Sequence, residues 1–499
     1  MKKLFFSAAA LMCGTLMFAQ SNNSDVDQVG SGNASVVSQT GMTNNSDVDQ
    51  VGDTNDSDVM QNGVSNDSDV DQLGNDNEGD VIQLGDNNEA DIHQGFGSGA
   101  SVNDNNTASV TQTGNGNIGH IDQYGDTDGS DDNNSAINQT GDGNLAYNSQ
   151  VGDFNNSTQD QNGDSNSSFV NQNGDTNFSD EDQTGDSNTS STSQNGDNNY
   201  SQMWQNGNSN SSTISQNGDF NTSQSYQGFT GDNNSSTIDQ IGDSNYSYLA
   251  QVGNSNTNDT DQNGMSNFSV VQSYGDLNMS STDQMGDNND SWTDQFGNSN
   301  TSDTEQYGNS NDSYVGQFGD NNSSLVWEYG NDNDSDVNQN GNGNTSLVRQ
   351  GAPFDAVTAA SDNNTSTVNQ TGDGNWQSTD QYTPAGDGSD FNISTVTQTG
   401  DNNYSFTAQF DDNHNSDVDQ IGDNNHSEVR QHGDANSSVV LSTGDFNISD
   451  VNQSGLMHTS TVNQLGDLNN SDVDQTGTTH NSTVDQIGNS NTSTVIQND

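Results

Sequence analysis

The sequence has one cysteine (Cys13), two prolines (Pro353 and Pro384) and four basic residues among its 499. A single cysteine excludes an internal disulfide, so stability must come from elsewhere. With so little proline, little interrupts the pairing of strands. Only 24% of the residues are hydrophobic. An ordinary globular core is therefore not expected.

Positive charge is almost absent. Aspartate and glutamate number 72, and the formal net charge is −68. Beyond Lys2 and Lys3, the only strong cations are Arg349 and Arg430. Nucleic acid and anionic membranes are therefore excluded as expected partners. Composition alone would place the chain among disordered acidic proteins.

The first nineteen residues differ from all the others. Lys2 and Lys3 precede an uncharged apolar run that ends near Ala19. This pattern predicts a secretory signal peptide over residues 1–19 and hence a secreted protein. The run is short for a membrane span and no basic stop signal follows it, so membrane insertion is not expected.

Glutamine recurs every eleven residues. The first block of such positions is Gln28, Gln39, Gln50, Gln61, Gln72, Gln83 and Gln94. The spacing continues to Gln497, and 38 of the 41 positions hold Gln, with Ser273, Glu328 and Ser442 at the other three. A period held over this length indicates a repeated structural unit.

Within each unit the informative positions alternate, as in Asn22, Ser24, Val26, Gln28 and Gly30. A period of two indicates a strand of about seven residues, and the Gly-containing remainder indicates a turn of about four. One strand cannot bury its own face, so successive units are expected to face each other. The prediction is an all-β, two-stranded parallel β-solenoid with 22 residues per turn, forming cross-β fibres when assembled. About twenty turns give a rod of roughly 100 Å.

Inside this solenoid, Val is expected to face Ser of the opposite strand, while Asn and Gln stack on their own kind as amide ladders. Glu181 occupies a Val position and should stay protonated or distort its turn. The residues assigned to the structural ladder are Asn22, Ser24, Val26, Gln28, Gly30, Gln39, Gln50, Gln61, Gln72, Gln139, Gly141, Gly143, Asn144, Ala146, Gln150, Gln475, Gln486 and Gln497.

The eleven-residue spacing is interrupted five times, and both prolines lie in these interruptions. Loops can enter a solenoid without ending it, because each turn contacts only its neighbours. Residues 20–499 are therefore predicted to be a single solenoid. Its loop insertions are placed near 95–105, 126–133, 228–232, 351–363 and 383–391.

The stretch QTGDGNLAYNSQ resembles the curlin repeat of curli-type bacterial amyloid subunits. Gln139, Gly141, Gly143, Asn144, Ala146 and Gln150 hold the residues of that motif from its first Gln onward. The resemblance implies export through a curli-type outer-membrane pore, with a nucleator and a chaperone as partners. It also implies polymerisation of the chain with itself into extracellular fibres of the biofilm matrix at the cell surface.

Other chemistry has little support. The seven histidines are interpreted as exposed residues without ligand spacing, and no catalytic, cofactor or specific metal residue is expected. Asp126, Asp128, Ser130 and Asp132 offer alternating oxygens for weak binding of calcium or other cations, although the Gly and the distal Glu of an EF-hand are missing. Exposed aromatic residues that follow the Gln position are interpreted as adhesive or as edge cover: Tyr124, Tyr274, Phe296, Tyr307 and Phe318.

Outward Asp pairs recur 22 residues apart, at Asp25 with Asp27, Asp47 with Asp49, and Asp69 with Asp71. Stacked in columns, they should repel one another. The favoured function is a non-enzymatic structural subunit of a curli-like amyloid fibre for biofilm matrix and surface adhesion. The alternative is a monomeric secreted β-solenoid acting as an adhesin or as an ice- or calcium-binding module.

Overall fold

The computed structural model describes residues 21–95, 105–124, 132–228, 231–351, 361–382 and 389–499. In these ranges the chain forms 41 strands, all paired in parallel. None of the described residues belongs to a helix with the length and apolar character needed to cross a bilayer. The predicted parallel β-solenoid is confirmed.

Successive strands alternate between two sheets that face each other. The first sheet holds the odd-numbered strands: β1 Asn23–Val29, β3 Asn45–Val51, β5 Asp67–Leu73, β7 Glu89–Gln94, β9 Ile118–Tyr124, β11 Leu145–Val151, β13 Ser167–Asn173, β15 Thr189–Asn195, β17 Ser211–Asn217, β19 Ser235–Ile241, β21 Thr257–Asn263, β23 Met279–Met285, β25 Thr301–Tyr307, β27 Ser323–Tyr329, β29 Thr345–Gln350, β31 Trp376–Gln381, β33 Tyr404–Phe410, β35 His426–His432, β37 Ile448–Leu456, β39 Asn470–Thr478 and β41 Thr492–Asn498.

The second sheet holds the even-numbered strands: β2 Ala34–Met42, β4 Asp56–Val64, β6 Glu78–Leu84, β8 Thr107–Thr113, β10 Asn134–Thr140, β12 Asn156–Asn162, β14 Phe178–Thr184, β16 Tyr200–Asn206, β18 Thr222–Gln227, β20 Tyr246–Val252, β22 Phe268–Tyr274, β24 Asp290–Phe296, β26 Asp312–Phe318, β28 Asp334–Asn340, β30 Thr365–Thr371, β32 Ile393–Thr399, β34 Asn415–Ile421, β36 Ser437–Thr443, β38 Thr459–Leu465 and β40 Asn481–Ile487.

The register places like residues on like residues. Each strand pairs with the strand two positions along the chain, as in Val26 with Val48 and Gln28 with Gln50. One coil therefore contains 22 residues, because the repeat unit of eleven is used once in each sheet. Where the spacing is interrupted, the pairing continues in the same register, and Gln94 lies beside Gln123.

Along each strand the second, fourth and sixth side chains point inward, as the alternation predicts. Most fourth positions are Val or Ile, and they form four apolar clusters that run from Val48 to Ala146, Met203 to Val271, Val315 to Val368 and Val396 to Val484. In other coils the same position holds buried polar residues, among them Asn148, Gln159, Glu181, Thr192, Thr260, Thr282, Thr293 and Thr304. The interior is therefore a narrow column whose apolar part is discontinuous.

The turns use two positions with positive φ. At the first, Gly52 has φ of 131°, and an added Cβ would lie 1.7 Å from the carbonyl oxygen of Gly74. At the second, Thr54 has φ of 61° in the left-handed region. Gly, Asn and Asp tolerate positive φ best, but the second position also holds Phe220 and Leu277. The packing of the neighbouring coils imposes the left-handed conformation on whichever residue is present.

Residues 1–19, predicted to be a signal peptide, lie outside the described residues, as do Asp126, Asp128, Ser130, Pro353 and Pro384. Most of each predicted insertion also lies outside them, except near 228–232, where only residues 229 and 230 do. The residues that re-enter the coil after the insertions are described, and Asn105, Asp132, Asn233, Asn363 and Phe391 all have φ between 58° and 61°, as in an uninterrupted turn.

Candidate functional site

Glutamine amides form a hydrogen-bonded column along each sheet. Gln112 Nε2 donates to Gln139 Oε1 at 2.9 Å, and Gln139 Nε2 donates to Gln161 Oε1 at 2.9 Å. The second N–H of Gln139 reaches the carbonyl oxygen of Ile118 on the opposite strand at 2.8 Å. Each buried amide thereby forms hydrogen bonds with the coil before it, the coil after it and the facing sheet. A thin apolar core alone would not provide these bonds.

The asparagine column works differently. The backbone N–H of Asn144 donates to Asn117 Oδ1 at 2.9 Å, and Asn144 Nδ2 donates to the carbonyl oxygen of Gly163 at 2.8 Å. Stacking of Asn amides on one another was expected, but most of these side chains bond to backbone atoms of the next coil. The Asn residues therefore fix the turns, and the Gln residues join the coils.

The assigned ladder residues lie at the N-terminal end of the rod, in its interior and turns, and at its C-terminal end. Near its N-terminal end, Gln28 Nε2 donates to Gln50 Oε1 at 2.6 Å and Gln39 Nε2 to Gln61 Oε1 at 2.8 Å, while Val26 is 40% exposed. Within the rod the following are buried: Gln50, Gln61, Gln72, Gln139, Asn144, Ala146 and Gln150.

The remaining assigned residues lie in turns and at the two ends. Gly30, Gly141 and Gly143 have φ of 134°, 115° and 69°. Asn22 Oδ1 accepts from the Asn44 backbone N–H, and Ser24 lies on the exposed strand β1. At the C-terminal end, Gln475 Nε2 donates to Gln497 Oε1 at 2.8 Å, and Gln486 accepts from Gln464 at 3.0 Å.

Glu328 replaces Gln inside the ladder. Its Oε2 accepts a hydrogen bond of 2.8 Å from Gln306 Nε2, while its Oε1 is buried without a partner. In the units that hold Gln the equivalent group is an NH₂ that donates to the next Gln and to a backbone carbonyl, as at Gln161, whereas a carboxylate oxygen has no proton to donate. Burial raises the pKa of Glu328 well above its usual value. The protonated acid supplies one donor where the ladder needs one.

Glu181 occupies an inward Val position. It is fully buried, and its Oε2 accepts from the hydroxyls of Ser168 at 2.5 Å and Ser190 at 2.6 Å. The strand keeps its register with both neighbours. Burial raises the pKa of Glu181, and the two serine hydrogen bonds only partly oppose that effect. Of the two expected outcomes, a protonated carboxyl without distortion of the coil is the one that the structure favours.

The two ends of the rod present open strand edges. In the described residues, β1 pairs only with β3 and β2 only with β4, while β40 pairs only with β38 and β41 only with β39. The ladder ends are complementary in chemistry. Gln28 Oε1 lacks an amide donor among the described residues, whereas Gln497 Nε2 donates to the Asn481 carbonyl oxygen and to no further glutamine.

Acidic columns lie on the outer faces. Asp25, Asp47 and Asp69 are register partners, and Asp27, Asp49 and Asp71 form the adjacent column. Burial and then the Asp71 carboxylate raise the pKa of Asp69 to about 6. The pKa of Asp49 and that of Asp71 are also raised, in each case chiefly by burial. Asp49, Asp69 and Asp71 are therefore less acidic in the folded rod than in an open chain.

Two histidines lie against aspartates on the outer face of the first sheet. His93 Nδ1 is 3.0 Å from Asp122 Oδ1, and His120 Nε2 is 2.9 Å from the same oxygen. His120 Nδ1 is 3.4 Å from Asp91 Oδ2. The interpretation of the histidines as exposed and without ligand spacing is wrong here. The repeat itself contained the signal: these residues occupy outward positions of two units that stack on each other.

Three other histidines also depart from that interpretation, because they share the position of the buried Asn. His414 and His458 are buried, and His414 Nε2 lies 2.8 Å from the Phe410 carbonyl oxygen. His458 and His480 stack with ring centroids 5.2 Å apart. These rings replace the Asn amide in the turn and continue its contacts.

Outward aromatic residues form stacks at coil spacing. The Tyr274 and Phe296 ring centroids lie 4.8 Å apart, and those of Phe296 and Phe318 lie 5.2 Å apart. Tyr307 stacks on Tyr329 at 4.7 Å, and the Tyr307 hydroxyl donates to Asp283 Oδ2 at 2.7 Å. The stacks cover apolar ring faces with each other, while Phe296 and Phe318 stay 38% and 40% exposed.

The curlin associated repeat matches six segments, at residues 20–52, 74–103, 104–127, 185–218, 231–259 and 297–326. The chain is a curlin-repeat protein. The resemblance seen in the motif is therefore confirmed, and the same ladder continues beyond the matched segments as far as Gln497. No curated protein matches the chain. Curlin repeats on a β-solenoid fit a structural or adhesive protein of the extracellular surface, and the family is structural rather than enzymatic.

Proposed function

We propose that this curlin-repeat protein is a structural subunit of an extracellular, curli-like amyloid fibre that serves biofilm matrix and surface adhesion. The observation that carries the proposal is the pair of open edges, β1 with β2 at one end and β40 with β41 at the other. Unpaired strand edges template the pairing of further strands.

Growth would repeat the contacts that already exist within one chain. The outer edges of β40 and β41 present backbone N–H and C=O groups in the register that holds Val473 beside Val495. An incoming β1 and β2 bring the same pattern of Asn, Ser, Val and Gln. Each added copy therefore extends both sheets and both amide ladders by the same coil spacing of ~4.8 Å.

Apolar burial favours the same joint. Val26 is 40% exposed on β1, and Val495 is only partly buried against the last apolar cluster. In the rod interior the same position is fully buried, as in Val48 and Val473. Covering one valine side chain from water contributes on the order of 1.5–3 kcal/mol. End-to-end stacking covers the valines of both open ends.

The partners in this proposal are further copies of the same chain, together with a curli-type outer-membrane secretion pore, a nucleator and a chaperone. The predicted signal peptide and the curlin repeats support export to the cell surface. The acidic outer faces support solubility of the chain before assembly, since like charges keep copies apart laterally.

The test is electron microscopy and fibre diffraction of the purified chain, with growth followed by light scattering. Val26→Asp and Val495→Asp each place a charge in one end of the core and are expected to slow growth at least about tenfold. Val439→Asp is the matched control, because Val439 points outward from β36 and is 39% exposed. It should leave growth unchanged. A wild-type chain that stays monomeric at high concentration overturns the fibre proposal and favours a monomeric solenoid adhesin.

A further inference from the structure

The histidine and aspartate cluster on β7 and β9 is unlike the rest of the acidic surface. Outward positions of neighbouring coils place His93 beside Asp122 and Asp91 beside His120. The two imidazoles therefore lie on a diagonal across adjacent rungs, with ring centroids 5.1 Å apart. Along most of the rod these positions hold Asp, Ser or Thr, which offer only oxygen.

Three donor atoms converge in this cluster. His93 Nδ1, His120 Nε2 and a carboxylate oxygen of Asp122 all lie within 4.8 Å of one another. In a tetrahedral zinc site with bonds near 2.0–2.1 Å, ligand atoms lie roughly 3.3 Å apart. Both nitrogens are within 3.0 Å of Asp122 Oδ1. Side-chain adjustments of a few tenths of an ångström would therefore admit an ion among the three groups.

Neighbouring residues hold two of these donors in place. The Tyr147 hydroxyl donates to Asp122 Oδ2 at 2.7 Å, which leaves Oδ1 directed at the imidazoles. The Tyr147 ring stacks on His120 with centroids 5.0 Å apart. Asp91 Oδ2 lies 3.4 Å from His120 Nδ1, the nitrogen that does not face Asp122. A carboxylate behind a ligating histidine and a donor behind a ligating carboxylate are the usual supports of a metal site.

The donor set selects the class of ion. Two imidazole nitrogens and one carboxylate oxygen suit zinc, copper or nickel, whereas calcium and magnesium prefer oxygen alone. The Asp122 side chain is only 5% exposed, while the imidazoles are 26% and 23% exposed. The site is thus anchored in the surface but open to entry from solvent. On the neighbouring coil Asp69 and Asp71 each place a carboxylate oxygen within 4.8 Å of an imidazole nitrogen of His93.

We propose that His93, His120 and Asp122 bind a divalent transition metal of the zinc type on the outer face of the rod, with Tyr147 and Asp91 as positioning residues. Such a site would give each chain one point of high metal affinity amid a weakly cation-binding acidic surface.

The test is a zinc titration of the purified chain by calorimetry at pH 8, where protons compete less for the two nitrogens. Millimolar calcium is present throughout to occupy the acidic columns. We expect one zinc per chain, an affinity lower by about tenfold or more in both His93→Asn and His120→Asn, and a smaller loss in Tyr147→Phe. His426→Asn is the matched control, since His426 also lies on the first sheet beside a carboxylate, Glu428. It should bind zinc like the wild type.

X-ray absorption at the zinc edge provides an independent readout, since imidazole ligands give a scattering pattern that carboxylates do not. Circular dichroism of each variant checks that the solenoid is intact. Zinc uptake by the wild type no greater than that of the His93→Asn, His120→Asn double variant overturns the proposal. So does displacement of the zinc by calcium, or a spectrum with oxygen ligands only.

Discussion

Gln306 Nε2 donates a hydrogen bond of 2.8 Å to Glu328 Oε2 in the middle of an otherwise amide ladder. The other oxygen of Glu328 is buried without a partner, and burial of an unpaired charge favours the neutral acid over the carboxylate at this position. Keeping a carboxyl of ordinary pKa protonated at pH 7 costs roughly 3–4 kcal/mol at most. The same position therefore makes the rod sensitive to pH.

The first prediction is that Glu328→Gln stabilises the rod at neutral pH by about 2–3 kcal/mol and has little effect near pH 4. The sign follows from the raised pKa of Glu328. Its contribution is fully present below the pKa of the unfolded chain and is lost as pH rises toward the folded value. Guanidinium unfolding at both pH values measures this difference. Glu78→Gln, on an exposed position of β6, is the control. Equal stabilisation at both pH values would refute the protonated-acid interpretation.

The second prediction compares two glycines of one turn. At Gly341, φ is 136° and an added Cβ would lie 2.0 Å from the Gly372 carbonyl oxygen. At Gly343, φ is 67° and an added Cβ meets nothing within 4 Å. Gly343→Ala should cost only about 1–2 kcal/mol, the penalty of the left-handed conformation. Gly341→Ala should cost clearly more, because the next coil must move away. Thermal unfolding of both variants decides, and similar losses would contradict the assignment.

The third prediction tests the ladder at Gln161. Its Nε2 donates to Gln183 Oε1 and to the Leu145 carbonyl oxygen, both at 2.9 Å. Gln161→Leu leaves these acceptors and the Gln139 amide without their partner, so we expect a loss of roughly 2–4 kcal/mol. Gln272→Leu is the control, because Gln272 points outward from β22. Hydrogen exchange of the flanking strands measures both. Equal protection in the two variants would show that the amides are dispensable.

The fourth prediction concerns the acidic columns. Burial, and then Asp180 and Asp160, raise the pKa of Asp182 from its ordinary 3.8 to about 6. Below the ordinary value both the folded and unfolded chains are protonated there, and stability is lost as pH rises through about 6. Asp182→Asn should reduce this loss, whereas Asp485→Asn on an exposed position of β40 should not. Unfolding midpoints across this pH range provide the measurement.

Repulsion between the stacked Asp carboxylates should slow the joining of chains. We therefore predict faster fibre growth at low pH, in molar NaCl and in millimolar calcium. Molar salt shortens the range of the repulsion between carboxylates to less than about 10 Å, and calcium can bridge neighbouring carboxylates. Growth that is equally fast at low salt and in all three conditions would show that the columns do not control assembly.

The sequence by itself determined the coil. Alternation with a period of two sets which side chains point inward, and a repeat of eleven used once in each sheet places Val473 beside Val495 and Gln475 beside Gln497. These features follow from local rules of strand geometry, so they are readable without coordinates. The inward carboxyl of Glu181 was predictable for the same reason.

Only the tertiary structure decided what adjacent coils do to each other. It imposes a left-handed backbone on Phe220, directs the Asn144 amide to a backbone carbonyl, and lets His93 and His120 share the oxygen of Asp122. The register determines which residues of adjacent coils lie side by side, but their rotamers and hydrogen bonds depend on the packing between coils. In a solenoid the rungs are distant in sequence, so these contacts arise only when the coils stack.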